Sequence, residues 1–191
     1  AASDVYKRQG LLLVLTGPRG ILENRLVFFV LDKVTSIFRA IPFIILLALI
    51  NPFTRIIVGT GIGPTAALVP LSLAVFPFFA RQVQVVLSEL DRGVIEAAQA
   101  SGATFWDIVG VYLREGLPDL IRVTTVTLIS LVGETAMAGA IGAGGLGNVA
   151  LTYGYQRFNH DVTILATILI LLLIFFIQFV GDFLTRKISH R

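Results

Sequence analysis

The stretch Glu96-Ala97-Ala98-Gln99-Ala100-Ser101-Gly102 is the most informative part of this chain. Its residues favour a helix, and the final glycine can take the left-handed conformation that ends one. Long apolar segments lie on both sides of it. A polar, helix-forming stretch between two apolar segments predicts a loop at a membrane surface, with a helix available to contact a partner.

The composition indicates a membrane protein. Of the 191 residues, 55% are hydrophobic and 14% are charged, and the mean hydropathy is +0.86. A soluble domain carries about 25% charged residues. The chain has no cysteine and only two histidines, His160 and His190. This excludes disulfides, a thiol nucleophile and cysteine-ligated metal, and we expect no metal centre and no cofactor.

Four apolar segments are long enough to cross a bilayer, which needs about 20 residues. They cover residues 26–50, 65–86, 120–141 and 162–184. Pro42 lies inside the first and should kink it or begin a new helical segment. The predicted fold class is all-α, a polytopic helical bundle in the membrane with four full spans.

The first residues do not fit this pattern. Residues 1–9 are polar and are interpreted as non-native or disordered. The apolar run from Leu11 to Leu15 is too short for a span and is interpreted as the remnant of a truncated first helix. We expect residues 10–191 to form a single transmembrane domain.

Positive charge predicts the topology. Arginines cluster around the loop between the second and third spans, and basic residues follow the last span: Arg81, Arg92, Arg114 and Arg122, then Arg186, Lys187 and Arg191. Because cytoplasmic loops carry the excess of Lys and Arg, the loop at about residues 88–118 and the C-terminus are predicted to be cytoplasmic.

The same loop carries signals for two short helices. Ser88 with Asp91, and Thr104 with Asp107, have the spacing of a capping box with Asp in place of Glu. Gly102 separates the two helices. The pattern predicts a pair of helices lying across the cytoplasmic face.

The motifs together resemble the binding-protein-dependent permease family, and more closely its methionine-importer branch. Beside the Glu-Ala-Ala motif, the segments that carry the resemblance are residues 38–44, 52–60, 131–147, 153–155 and 178–182. One departure is that Leu113 is followed by Arg114, and the Leu-Pro pair of the family loop comes later, at Leu117-Pro118.

The resemblance implies the permease subunit of an ATP-driven ABC importer for methionine, in a bacterial inner membrane. It implies a homodimer, two cytoplasmic ATPase subunits and an extracytoplasmic methionine-binding protein. Such a subunit has no catalytic site of its own and no nucleic-acid partner. The residues expected to couple it to the ATPase are Glu96, Ala97, Ala98, Gly102, Ala103 and Trp106. For Trp106, an anchor at the lipid interface is the alternative.

Glu134 is a carboxylate in the middle of the third span. Such a residue costs about 2.5–3.5 kcal/mol on insertion scales and usually faces a cavity or a partner. The functional interpretation is a solute pathway lined by Ser130, Glu134, Thr135, Met137 and Ala138. The structural alternative is a protonated Glu134 that is hydrogen-bonded to a neighbouring helix.

Ala136, Ala140 and Gly144 are spaced four apart, so that small residues share one helix face. Such a face allows close packing within one subunit or at a dimer seam, and both remain open.

Two other classes of function compete with the importer. A proton-coupled secondary amino-acid carrier would use Glu134 as its proton site, but no internal repeat of the kind typical of such carriers is found in the sequence. An intramembrane enzyme would need a nucleophile–base pair or a metal cluster, and Ser130 near Glu134 is a poor candidate for one.

Overall fold

The computed structural model describes residues 25–189, and all regular structure within them is helical. The α-helices, in chain order, are α1 (Arg25–Ala40), α2 (Phe43–Leu49), α3 (Asn51–Val58), α4 (Pro64–Ser88), α5 (Arg92–Ala100), α6 (Phe105–Glu115), α7 (Leu117–Ala138), α8 (Gly145–Asn148) and α9 (His160–Ser189). The expectations about residues 1–9 and the truncated helix lie outside the described residues.

Among residues 25–189, three helices are long and apolar enough to cross a membrane. These are α4, α7 and α9, of 25, 22 and 30 residues, and α9 is the most apolar, with a mean hydropathy of 2.8. They coincide with the second, third and fourth predicted spans. Pro70 and Pro77 lie inside α4 without ending it, as membrane helices tolerate.

The first predicted span is not a continuous helix. α1 ends at Ala40, and Pro42 is the N-cap of α2, where its carbonyl accepts from the N–H groups of Ile45 and Leu46. With 16 and 7 residues, neither helix reaches the roughly 30 Å of a hydrocarbon core at 1.5 Å per residue. The expected break at Pro42 is confirmed, and the first predicted span consists of two consecutive helices.

The glycine run after α7 forms a series of short helical turns. A single 3-10 turn, Gly139–Ile141, leads into left-handed glycines at Gly142, Gly144 and Gly145. The chain then forms α8, a π-helix at Val149–Gly154 and a 3-10 turn at Tyr155–Arg157.

The chain divides into two compact units. The first contains residues 79–124 with the described residues of segments 1–33 and 180–191, and the second contains residues 34–78 and 125–179. In the first, Phe79, Val83 and Leu87 of α4 pack with Leu120 of α7. Tyr112 and Leu113 of α6 pack against this core, so the loop helices rest on the ends of the spans.

The second unit depends on close contact between backbones. Gly147 of α8 lies so near Ala136 of α7 that an added Cβ would stand 2.3 Å from the Ala136 Cα. Likewise, a Cβ added to Gly139 would stand 2.4 Å from the Asn148 backbone nitrogen. The segment after α7 therefore folds back onto the end of that helix, with no room for a methyl group.

We expect Gly147→Ala to destabilise the protein by about 1–3 kcal/mol, because the methyl group must displace backbone rather than a side chain. The measurement is the thermal unfolding midpoint of the purified chain in detergent. Gly133→Ala is the matched control, because a Cβ at this helical glycine meets nothing within 4 Å. Equal midpoints for the two variants would contradict the close approach.

Candidate functional site

The helix that contains the Glu-Ala-Ala motif begins at a side-chain cap. Asp91 is the N-cap of α5, and its carboxylate accepts from the Gly93 N–H at 2.8 Å. Ser88 instead ends α4 and donates to the Val85 carbonyl. The predicted pairing of Ser88 with Asp91 as a capping box was therefore wrong, because each residue serves a different helix.

Gly102 ends α5 in the left-handed conformation, with φ of +77°. The Ala103 N–H donates to the Ala98 carbonyl at 3.1 Å, and the Gly102 N–H donates to that of Gln99 at 3.0 Å. This pair of bonds is a Schellman motif, which requires a residue that tolerates positive φ. The prediction for Gly102 is confirmed, and the turn fixes the direction of the next helix.

The second loop helix begins at the predicted capping box. The Asp107 N–H donates to the Thr104 hydroxyl, and the Thr104 N–H donates to the Asp107 carboxylate at 2.8 Å. The hydrogen bonds from the Thr104 hydroxyl and then from its backbone N–H lower the pKa of Asp107 below its usual value. Asp107 is therefore ionised at neutral pH, and the cap is complete there.

The two loop helices present a mixed surface of small, acidic and aromatic residues. Ile95 of α5 and Ile108 of α6 are buried, whereas Glu96 and Ala97 are exposed. Trp106 is 77% exposed and meets Phe105 edge-on. Of the other predicted coupling residues, Gly102 is exposed, and Ala98 and Ala103 are half-buried. Trp106 and the small residues Ala97 and Gly102 are therefore accessible on the outside of the helix pair.

A cavity of about 240 Å³ opens beside α5. It is lined by apolar Leu90, Val94 and Ile95 and by the three carboxylates of Glu89, Asp91 and Glu115. The carboxylates do not converge as metal ligands, and no group of three or more His, Cys, Asp or Glu side chains in residues 25–189 is arranged to hold a metal. The three carboxylates give the surface beside α5 a negative charge.

The predicted pathway residues of α7 do not all lie on one face. Ser130, Glu134 and Met137 follow the i, i+4, i+7 spacing of a single face. Ser130 and Glu134 are half-buried there, and Met137 is 51% exposed. Ala138 is only 1% exposed and belongs to the core formed with Leu47, Ala67 and Leu71.

Glu134 has an unusual environment. Its Oε2 atom is buried and has no hydrogen-bond partner among the described residues. A buried carboxylate oxygen normally has a partner, because leaving it unsatisfied costs about 1–3 kcal/mol or more. The hydrogen bond to a neighbouring helix that the structural alternative requires is not seen in the described residues.

Thr135 and Ala136 line a different feature, a groove of about 190 Å³ bounded by α7, α9 and the glycine run. Its lining residues are Val132, Thr135, Ala136, Gly144, Gly145, Leu146, Gly147, Ile170 and Leu173. Because Gly147 touches Ala136, part of the small-residue face packs within the subunit. The side chain of Ala140 is not among those that the structure describes.

An ion pair was missed from the sequence. Asp32 of α1 accepts from the Arg81 guanidinium of α4, which also donates to Gln84 at 2.7 Å. The side chains of Asp32 and Arg81 are 24% and 23% exposed. The sequence does single out Asp32, because no other acidic residue occurs between it and Glu89. Nothing in the sequence, however, indicates that Asp32 pairs with Arg81.

Comparison with known proteins decides which class of membrane protein this is. The model of the family described as binding-protein-dependent transport system inner membrane component matches residues 13–190. The chain belongs to this family. It is thus a multi-pass permease component of an ABC-type transport system, and the all-α fold predicted from the sequence is confirmed.

Individual relatives agree with the family. The chain is 50% identical over 183 residues to the probable D-methionine transport system permease protein MetI of Pasteurella multocida, covering 95% of this chain and 84% of the relative. It is 50% identical over 181 residues to the methionine import system permease protein MetP of Bacillus subtilis, covering 94% and 82%. An inward-facing structure of the MetNI methionine ABC transporter matches with a TM-score of 0.94 at 45% identity, covering 98% of this chain and 87% of that one.

These relatives favour the importer permease over the proton-coupled carrier.

Proposed function

We propose that this permease imports methionine together with separate cytoplasmic ATPase subunits and an extracytoplasmic binding protein. The relatives at 50% identity are named as methionine permeases, and the MetNI structure is that of a methionine ABC transporter. The observation that carries the coupling part of the proposal is the exposed, doubly capped helix pair α5–α6.

The ATP chemistry belongs to the partner. The chain has no Walker A sequence, because the glycine run of residues 142–147 is not followed by Lys and Ser or Thr. Motion of the ATPase must therefore enter the permease through a surface contact. The loop of residues 88–118 offers that contact, with the exposed Glu96, Ala97 and Trp106 outward and Ile95 and Ile108 anchored in the protein.

The orientation follows from the same contact. If the loop meets a cytoplasmic ATPase, the loop and the C-terminus lie on the cytoplasmic side, in agreement with the positive charges that flank both. The proposed assembly contains two copies of the permease and two ATPase subunits. One chain has three full-length spans among its described residues, which are too few to enclose a transport pathway.

The first test is transport by the full-length permease, purified with its ATPase and reconstituted in vesicles with its binding protein. We expect uptake of radiolabelled methionine that requires ATP, from particles that contain two permease and two ATPase chains. A monomeric particle that is active would refute the assembly, and uptake of another solute with none of methionine would refute the substrate.

The second test concerns the turn at Gly102. We expect Gly102→Val to reduce methionine uptake by at least about tenfold, because a β-branched residue resists positive φ and the turn would redirect α6. A Cβ at Gly102 meets nothing within 4 Å, so the loss would come from backbone conformation and not from a clash.

Gly102→Asn is the matched control, since Asn tolerates the left-handed conformation better than other residues with a side chain. It should retain most of the uptake, and both variants should insert in the membrane to the normal level. Full methionine-stimulated ATPase activity in Gly102→Val would remove the turn from the coupling mechanism.

Glu134 is proposed to border the route that the solute takes. Its unsatisfied Oε2 atom, with Ser130 and Met137 on the same face, provides a polar group for an ammonium beside apolar surface for a thioether. The binding protein is proposed to select the solute. Glu134 therefore affects the rate of transport more than it affects which amino acid is transported.

We expect Glu134→Gln to lower the rate of methionine uptake by about tenfold, a loss of roughly 1.4 kcal/mol in transition-state stabilisation, without changing the preference among amino acids. Initial rates in the same vesicles, with methionine and competing amino acids, measure both quantities. Thr135→Val is the control, because Thr135 lines the groove beside α9 instead. An unchanged rate for Glu134→Gln would assign the residue to structure alone.

A further inference from the structure

The short helix α3 is an amphipathic element that the proposed transport function does not explain. It spans the eight residues Asn51–Val58 between α2 and α4. Eight residues make a helix of about 12 Å, too short to cross a bilayer. The left-handed Gly59, with φ of +80°, ends it.

One face of α3 is fixed against the following turn. Asn51 donates through its amide to the Gly61 carbonyl at 2.9 Å. Arg55 lies one helical turn further along, and a Cβ at Gly61 would stand 2.7 Å from the Arg55 Nε atom. Thr54 is buried and donates to the Ile50 carbonyl at 3.1 Å. The hydrogen bond from Asn51 therefore fixes the rotation of α3 about its axis, with Arg55 close to Gly61.

That rotation turns the apolar face outward. Phe53, Ile56 and Ile57 are 66%, 82% and 68% exposed. These side chains lie opposite Asn51 and Arg55 at 100° per residue. Three large apolar side chains held in the open on a helix whose polar face is occupied must meet something other than water.

The neighbouring helices indicate what covers this face. Ile44, Ile45 and Leu49 of α2 precede α3 and are 48–62% exposed, and Leu68 of α4 follows it at 59% exposed. α4 is one of the described helices that are long and apolar enough to cross a membrane. The apolar face of α3 is thus continuous along the chain with the exposed apolar surface of a helix that can span the bilayer.

The charge around α3 also favours contact with phospholipid. Arg55 is the only basic residue between Arg39 and Arg81, and no acidic residue occurs between Asp32 and Glu89. An exposed arginine on an amphipathic helix without a local carboxylate suits the phosphate groups of phospholipids. Its aliphatic stem allows the guanidinium to reach the headgroups from a helix at the surface.

We propose that α3 is an interfacial helix, with Phe53, Ile56 and Ile57 inserted at the boundary between headgroups and acyl chains and Arg55 contacting lipid phosphate. The helix would hold the link between α2 and α4 at the membrane surface. This inference rests on the chain being a membrane permease and is independent of its solute and of its coupling to an ATPase.

The test places a nitroxide label on a single cysteine at Ile56, which the absence of native cysteine makes straightforward. The labelled full chain is reconstituted in phospholipid vesicles, and collisions with oxygen and with a water-soluble nickel complex are measured by electron paramagnetic resonance. We expect oxygen collisions to exceed nickel collisions by roughly threefold or more, as for other sites at the acyl-chain boundary. A label on Phe53→Cys should agree.

Two control sites calibrate the scale. Thr60 is exposed in the turn after α3, and Thr54 is buried. A label at Thr60 should collide mainly with the nickel complex, and a label at Thr54 should be shielded from both reagents. A label at Ile56 that behaves like the one at Thr60 would place α3 in water and overturn the inference. A label shielded from both reagents would show a protein partner, either a second copy or the binding protein, and would also overturn it.

A second variant tests the lipid phosphate. Arg55→Glu, in the background labelled at Ile56, should raise nickel collisions by at least about twofold. The increase should be larger in vesicles rich in phosphatidylglycerol than in phosphatidylcholine alone, because the introduced carboxylate is repelled most by a net negative surface. An unchanged ratio in both vesicles would refute the role of Arg55.

Discussion

The structure depends on one constraint, that the hydrocarbon interior of a bilayer offers no hydrogen-bond partner to the backbone. Helices satisfy this constraint locally, which accounts for the helical regular structure of residues 25–189. Hydroxyl groups follow the same rule. Ser72 donates to the Leu68 carbonyl, Thr124 to that of Leu120 and Thr167 to that of Thr163. These three hydroxyl groups are thus satisfied within one turn of their own helix.

Where the backbone leaves the helical pattern, it is held by close packing instead. The glycine run after α7 contains left-handed residues and a π-helix, yet Gly139, Gly147 and Gly154 each touch another part of the second unit without room for a methyl group. Small residues allow this approach, and the resulting contacts between backbones replace the packing that larger side chains would supply. The irregular segment after α7 is therefore closely packed against its neighbours.

Charged groups in the spans are handled in two ways. Asp32 and Arg81 neutralise each other between α1 and α4, whereas the Glu134 Oε2 atom has no partner among the described residues. The first arrangement holds two helices together at the cost of desolvating both groups. The second leaves an unsatisfied carboxylate oxygen on the polar face of α7, which is the reason that the proposed function places Glu134 beside the solute.

The sequence by itself determined the class of fold, the positions of the three long spans and the two loop helices with their Gly102 turn. These features are local, because apolar run length, helix caps and a left-handed glycine act within a few residues of the chain. The same locality explains the errors. The spacing of Ser88 and Asp91 fits a cap, but whether Ser88 closes α4 or opens α5 depends on where α4 ends.

Which distant groups meet depends on how the helices pack. The pairing of Asp32 with Arg81 and the contact of Gly147 with Ala136 each join residues whose separation in the chain follows no pattern. Glu134 could be singled out as a mid-span carboxylate, but its missing partner could not be seen until the helices around it were placed. A periodic pattern specifies which side of a helix is apolar, and packing alone specifies what that side touches.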